Sequence, residues 1–178
     1  MIIGFVGKKQ VGKDTVSDYL VQNHGYVKMA FADPLKQVCK TLFCLDDNHF
    51  NNAFMKESVV PYWGKSPRQM MQFVGTELIR NQLDPEFWIK HAKLRVETSD
   101  NKNIVFSDVR FLNEAAFVKS LGGKLVRIQR QWDFGGQEDK HQTEVEQNDI
   151  KVDTIIVNQY ENFQELYSKV ESVLHSEN

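Results

Sequence analysis

MIIGFVGKKQVGKDT, residues 1–15, is the stretch whose reading decides the fold. Ile2, Ile3, Phe5 and Val6 form a short apolar run suited to a buried parallel strand. Gly7 and Gly12 bracket a four-residue turn, Lys13 follows, and then a helical pattern begins with Val16, Tyr19 and Leu20 on one face. Strand, glycine loop and helix in this order are the setting of a phosphate-binding loop (P-loop). Backbone N–H groups of such a loop cradle phosphates, the helix N-terminus favours the anion, and Lys13 is placed to reach the β- and γ-phosphates. A glycine-rich turn with chance lysines is the plainer alternative, and the correct flanks weigh against it.

One position departs from the common pattern. The residue directly after the lysine is Asp14, and the hydroxyl of Thr15 comes one later. In the usual loop that hydroxyl ligates magnesium. A carboxylate is also a hard oxygen ligand, so Asp14 is a candidate to hold the ion directly or through water. Thr15 is then left for the α-phosphate. Alternatively, Asp14 is simply an acid favoured by the helix macrodipole.

The chain has 178 residues, 41% hydrophobic and 26% charged, with a formal net charge of -2. That is enough sequence for one domain with a real core. The charge gives no global attraction to a nucleic-acid polymer or an anionic membrane, so phosphate binding must come from local basic positions. No apolar run approaches a membrane span, and the first apolar run is too short for a secretory signal. Cys39 and Cys44 are the only cysteines. Read as parts of one helical pattern they point apart, which argues against a disulfide. Their spacing is not of a metal-binding type. A reducing, cytoplasmic setting is expected.

Strand and helix patterns alternate along the chain, which points to an α/β fold with a mostly parallel sheet. His24-Gly25 signals a helix end, and Tyr26–Phe31 reads as a short strand. Asp33-Pro34 starts a helix with Leu35, Val38 and Leu42 on one face. Residues 45–65 are the least regular and suggest a mobile flap with a short helix. Ser66-Pro67-Arg68-Gln69 is a capping-box start, leading a helix with Met70, Val74 and Leu78 on one face and Met71 and Phe73 beside them. Asp84-Pro85 starts another, carrying Phe87, Trp88, Ala92 and Leu94. Asn103–Ser107 is a strand ending at Asp108, and Asn113 is expected to cap a helix that stops at Gly122-Gly123. Strands at Leu125–Ile128 and Thr154–Val157 follow, and the amphipathic helix from Phe163 to Leu174 closes the pattern.

Asp108 lies at the carboxyl end of its strand, the edge where parallel sheets bind ligands. Arg110 is two residues on. An acid and an arginine there suit ion or substrate orientation and phosphate clamping, although a strand-end ion pair would look the same. Residues 130–146 are polar, contain Gly135-Gly136, and read as a mobile lid that excludes water from the reaction. Arg127 and Arg130 flank it with charge suited to transferring phosphates. His141 falls in the lid without metal-type spacing. Lys36 sits one turn into its helix, where it can reach an acceptor phosphate. Arg68 and Arg80 mark the ends of the 66–81 helix. Gly75 in mid-helix costs about 1 kcal/mol against alanine, so a close approach by another group is its expected reason.

GKKQVGKDT, FADPLK, RQMMQFVGTELIR followed by DPEFW, IVFSDVRFLNEA, and KHQTE together resemble the deoxynucleoside monophosphate kinases of phages and large DNA viruses. The resemblance spans nearly the whole chain. Animal phosphomevalonate kinases share a GKDT-type loop and an SDxR strand end but lack the GTELIR–DPEFW stretch. The resemblance implies a doubly wound P-loop kinase fold of the nucleoside monophosphate kinase type, one domain over 1–178, with an acceptor region over about 45–98. It implies ATP as phosphoryl donor, Mg2+ as its ion, and a deoxynucleoside monophosphate as acceptor. By position, Gly7, Gly12, Lys13, Asp14 and Thr15 would hold ATP, with Asp14 on the metal. Lys9, Lys36, Arg68, Gly75, Thr76 and Trp88 would line the acceptor site, and Lys13, Asp108, Arg110 and Arg130 would serve transfer. No nucleic-acid polymer or membrane partner is implied, and a homodimer is left open. Two other functions stay in view: a kinase for another small phosphate monoester, and a nucleotide-binding module without turnover.

Overall fold

The computed structural model describes residues 1–130, 146–159 and 162–175. The chain forms two compact units, Met1–Ala30 together with the chain from Ser99 onward, and Phe31–Thr98.

The first unit is a five-stranded parallel sheet of β1 (Ile2–Val6), β2 (Val27–Met29), β3 (Ile104–Val109), β4 (Lys124–Arg130) and β5 (Thr154–Asn158) in the order β2-β3-β1-β4-β5. β1 is central, which explains its continuous apolar run: both of its faces are covered. On one face Ile3, Phe5, Val105, Val126, Ile128 and Ile156 pack with Val16 and Leu20 of α1 (Lys13–His24) and with Leu166, Val170 and Val173 of α8 (Phe163–His175). On the other, α7 (Leu112–Ser120) brings Val118 against Gly4, where a Cβ would lie 3.2 Å from Val118. Helices on both faces of a parallel sheet are the expected doubly wound arrangement.

α1 ends as expected, with the Gly25 N–H donating to Leu20 O. α7 also stops where Gly122 and Gly123 stand, with their N–H groups on Lys119 O and Val118 O. Its start differs from expectation. The helix begins at Leu112 with Phe111, not Asn113, at the capping position, and the buried Glu114 accepts from the N–H groups of Arg110 and Phe111. A carboxylate at the third helical position reaches back over the turn, which an asparagine already inside the helix does not do.

The second unit is helical. α2 (Asp33–Leu42), α3 (Asp47–Asn51), α4 (Ala53–Glu57), α5 (Pro67–Gln72) and α6 (Phe87–Glu97) surround a core of Leu35, Cys39, Phe50, Met70, Val74 and Trp88. The buried face of α2 is Leu35 and Cys39; Val38 and Leu42 are 44% and 56% exposed, contrary to the face read from the sequence. Cys44 lies beyond α2 at φ 51°. Both cysteines are free, and burial pushes the Cys39 thiol up to about 11, leaving it an unreactive apolar group. Residues 45–65 hold two short helices, with Asn52 capping the second, and a turn closed by the Val60–Lys65 bridge.

The capping box at Ser66 and Gln69 is present, with Pro67 in the first turn. From Phe73 to Leu83 the helix widens into a π-type turn, closed by Asp84 N–H on Ile79 O. Bonding to the fifth preceding residue changes the phase of the helix. Val74, Gly75, Thr76 and Arg80 turn inward, whereas Phe73 and Leu78 are left 48% and 43% exposed. A face extrapolated at the ordinary helical period therefore misplaces Leu78. Asp84 begins a turn, accepting from Glu86 N–H, before α6 starts at Phe87.

Candidate active site

β1 delivers the chain into the glycine loop at Gly7. Its φ is +147°, and a Cβ there would lie 2.3 Å from Ile128 O of β4, so only glycine fits. Gln10 lies at φ 61° and Gly12 at φ 107°, and α1 begins at Lys13. Lys13 is buried, and its Nζ donates to Gly7 O at 2.5 Å and Lys8 O at 2.6 Å. The ammonium is thus folded back over its own loop, beside the N-terminus of α1. A cation at the N-terminus of a helix is an arrangement suited to an anionic phosphate. Lys9 and Thr15 belong to the same segment, Lys9 exposed and Thr15 half-buried.

Asp14, in the first turn of α1, has an 83% exposed carboxylate that faces Lys28 Nζ of β2 at 2.8 Å. The same ammonium is 2.9 Å from Asp18. Burial works against the Lys28 charge, but hydrogen bonds and attraction from Asp14 and Asp18 outweigh it and hold its pKa above the usual lysine value. Lys28 carries no sequence signal, because its partners come from a neighbouring element. The Asp14 carboxylate is thus half of an ion pair, and its hard oxygens are of a kind that also suits Mg2+. Among the described residues no group of three or more His, Cys, Asp or Glu is gathered for a metal. An ion held by Asp14 would therefore take most of its ligands from phosphate and water, as Mg2+ commonly does.

Asp108 and Arg110 stand at the end of β3, both half-buried. Glu114 fixes the backbone at Arg110 and so shapes this strand end. Arg130, at the end of β4, donates from Nη2 to Gln10 O of the glycine loop at 2.7 Å. Arg127 fastens the returning chain, donating to Gln147 O at 3.0 Å and Ile150 O at 2.7 Å, and burial lowers its pKa. Asn158, at the end of β5, donates from Nδ2 to Val11 O at 3.0 Å. It occupies the same strand edge as Asp108, and that edge rule was the one signal able to find it. Residues 131–145, with His141 and most of the expected lid, lie outside the described residues.

The second unit presents its own basic side chains. Arg68 Nε pairs with Glu57 Oε1 at 2.6 Å. Lys36 Nζ stands 4.0 Å from Asp33, whose other oxygen meets Arg95 at 3.1 Å. Thr76 is buried. Gly75 meets a close approach of the expected kind: a Cβ there would lie 2.4 Å from Leu35 Cδ2. Trp88 is 5% exposed within the unit's core and donates Nε1–H to Gly75 O at 2.9 Å.

A central strand running into a glycine loop, with its lysine turned over the loop and its neighbours ordered β2-β3-β1-β4-β5, defines a P-loop phosphotransferase of the kinase type. Shikimate kinase from Bacteroides thetaiotaomicron shares this fold at TM-score 0.55 and 13% identity, with 99% of each chain covered. The model of the family described as deoxynucleotide monophosphate kinase matches residues 1–60 and 52–170. A protein of Acanthamoeba polyphaga mimivirus carrying that family's name is 38% identical over 183 residues, covering 96% of this chain and 94% of its own. A deoxynucleotide monophosphate kinase of Escherichia phage RB69 is 32% identical over 114 residues, or 61% of this chain and 45% of the phage protein. The chain belongs to the deoxynucleotide monophosphate kinase family.

Proposed function

We propose that the protein transfers the γ-phosphoryl group of ATP to the 5'-phosphate of a deoxynucleoside monophosphate, giving ADP and the diphosphate. The observation that carries this reading is the family match, which runs from the glycine loop through the helices of the second unit. Neither the phosphomevalonate-type activity nor a module without turnover gains support from the relatives. No helix among the described residues is long and apolar enough to cross a membrane.

In this reaction an oxygen of the acceptor phosphate forms a bond to the γ-phosphorus, and the bond from that phosphorus to the β–γ bridging oxygen breaks. The acceptor is already anionic at neutral pH, so no strong base is required, and catalysis is positioning and charge neutralisation. Lys13 is the proposed donor-side cation, leaving Gly7 O and Lys8 O for the β- and γ-oxygens when ATP enters. Gly7, Gly12 and Thr15 hold the phosphates through the loop. Asp14 would hold Mg2+, which when bound would supply charge neutralisation at the phosphates. Arg110 and Arg130 add positive charge around the phosphates, and Asp108 orients the ion or the acceptor. Lys9, Lys36, Arg68 and Thr76 are the proposed acceptor contacts. Gly75 and Trp88, which the resemblance placed in the acceptor lining, are instead buried, and they support these contacts by fixing the 67–83 helix from within the core.

A coupled ADP-release assay with ATP against deoxynucleoside monophosphates, ribonucleoside monophosphates and phosphomevalonate tests the reading. Turnover is expected with at least one deoxynucleotide. Turnover with phosphomevalonate alone, or with no acceptor, would sink it. In the same assay Asp14→Ala should raise the magnesium needed for half-maximal rate, and Asp14→Ser should recover part of the loss. An unchanged magnesium titration would leave Asp14 as a helix-dipole acid.

A further inference from the structure

Four carbonyl oxygens of the glycine loop are held by side chains. Lys13 takes Gly7 O and Lys8 O, Arg130 takes Gln10 O, and Asn158 takes Val11 O. Arg130 and Asn158 are register partners at the ends of β4 and β5, so neighbouring strands grip successive peptides of the loop. Of these two, Arg130 is exposed, while Asn158 is 4% exposed and built into the sheet edge.

A trans peptide is planar, and its C=O and N–H point in opposite directions. Holding Val11 O therefore fixes the direction of the Gly12 N–H, the donor that opens α1. Gly12 sits at φ +107° with no side chain to restrict it, between Val11, whose side chain is in the core, and its own carbonyl, which accepts from Val16 N–H. The Asn158 amide also lies directly over Gly12: a Cβ there would come 2.7 Å from Nδ2.

We infer that Asn158 is a positioning residue for the nucleotide's phosphates, pinning the Val11–Gly12 peptide so that its N–H stays aimed into the loop. This rests on reading Gly7–Lys13 as the phosphate loop. Asn158 acts on polyphosphate through the backbone and not on the base. Preorganised N–H donors bind anions without reorganisation, so losing the pin weakens every ligand that places phosphate in the loop.

Titration calorimetry of the whole chain with ATP and with inorganic tripolyphosphate, which has no base, tests this. Asn158→Ala should raise Kd for both ligands together by about three- to tenfold, the scale of one neutral hydrogen bond. Asn158→Asp, which sets a carboxylate against Val11 O and the phosphates, should lose more. Unaltered tripolyphosphate affinity in Asn158→Ala overturns the inference, whether ATP affinity falls, which would assign Asn158 to the base, or only the melting temperature falls, which would make it a strap for β5. If the variants do not fold, the wild-type protein decides. The Asn158 side-chain amide resonance should exchange slowly with water and shift on adding tripolyphosphate, and an unmoved resonance overturns the inference. A wild-type protein that binds neither ligand removes the phosphate-loop reading and the inference with it.

Discussion

Around Gly7–Lys13, position is set by backbone: glycine conformations, the approach of Ile128 O to Gly7, and side chains that grip carbonyls. In the Phe31–Thr98 unit the basic groups are set by side chains on helices, Arg68 by Glu57 and Lys36 near Asp33, with Arg95 on the same carboxylate. A backbone site tolerates almost no change at its glycines and keeps one geometry. A site of paired side chains can lose or exchange single members. Under the proposed function, the first arrangement would take the polyphosphate and the second the acceptor.

The strongest way to break this comparison is Lys13→Ala. Loss of the donor-side cation should cut turnover by a factor of about 10² to 10³ or more, the scale of removing one group that stabilises developing charge. Circular dichroism should show an intact fold. Near-normal turnover in a folded variant would take the donor role away from the loop.

Arg68→Ala should produce a smaller and more selective loss. A charge-assisted hydrogen bond is worth about 1.5–3 kcal/mol, so acceptor kcat/KM should fall roughly ten- to a hundredfold with little change in ATP binding. Unaltered acceptor kinetics would reduce Arg68 to the partner of Glu57.

Gly75→Ala probes a place where the helical unit depends on a missing side chain for space. Overpacking against Leu35 costs about 1–3 kcal/mol, and removing a mid-helix glycine returns about 1 kcal/mol. A net loss of about 1 kcal/mol is expected by denaturant unfolding. Leu35→Ala should cost less in the Gly75→Ala background than alone, because the two changes share one contact. Strict additivity would mean that Leu35 moves aside freely.

The smallest effect concerns a side chain that braces the sheet unit. Asp153 accepts from Leu125 N–H at 2.7 Å and pairs with Lys119 at 3.0 Å. Burial raises its pKa, and the Leu125 and Lys119 contacts outweigh it, leaving the folded value depressed. Its stabilisation is therefore complete at neutral pH and fades as pH falls below about 4, through the depressed folded value. Asp153→Asn should cost about 0.5 kcal/mol at pH 7, given solvent screening, and should flatten the acid limb of a stability–pH curve. An acid limb identical to wild type would show that the carboxylate does not matter there.

The sheet unit was legible because its signals are local. An apolar run, two glycines and a lysine at fixed spacing specify β1, the loop and α1, and Gly25 and Gly122 mark helix ends by their own conformations. The Ser66–Gln69 box was legible for the same reason. Lys28 on Asp14, Asn158 on Val11 O and Glu114 on the Arg110 backbone were not, since each depends on elements that meet only after folding. The face of α2 was misread because Val38 and Leu42 are as apolar as Cys39. Periodicity alone does not say which side a neighbour will cover.

The π-type stretch from Phe73 to Leu83 gives the helical unit a reading frame of its own. In an ordinary helix each residue advances about 100° around the axis. A one-residue deletion that let this stretch relax to the ordinary period would change its composition little, yet alter the bearing of side chains within and beyond it. Arg80, now in the interior, would be carried off its bearing. A homologue that differs here by a single gap should thus be compared by the direction its arginine faces, because an alignment that merely matches letters would report agreement where the two interiors disagree.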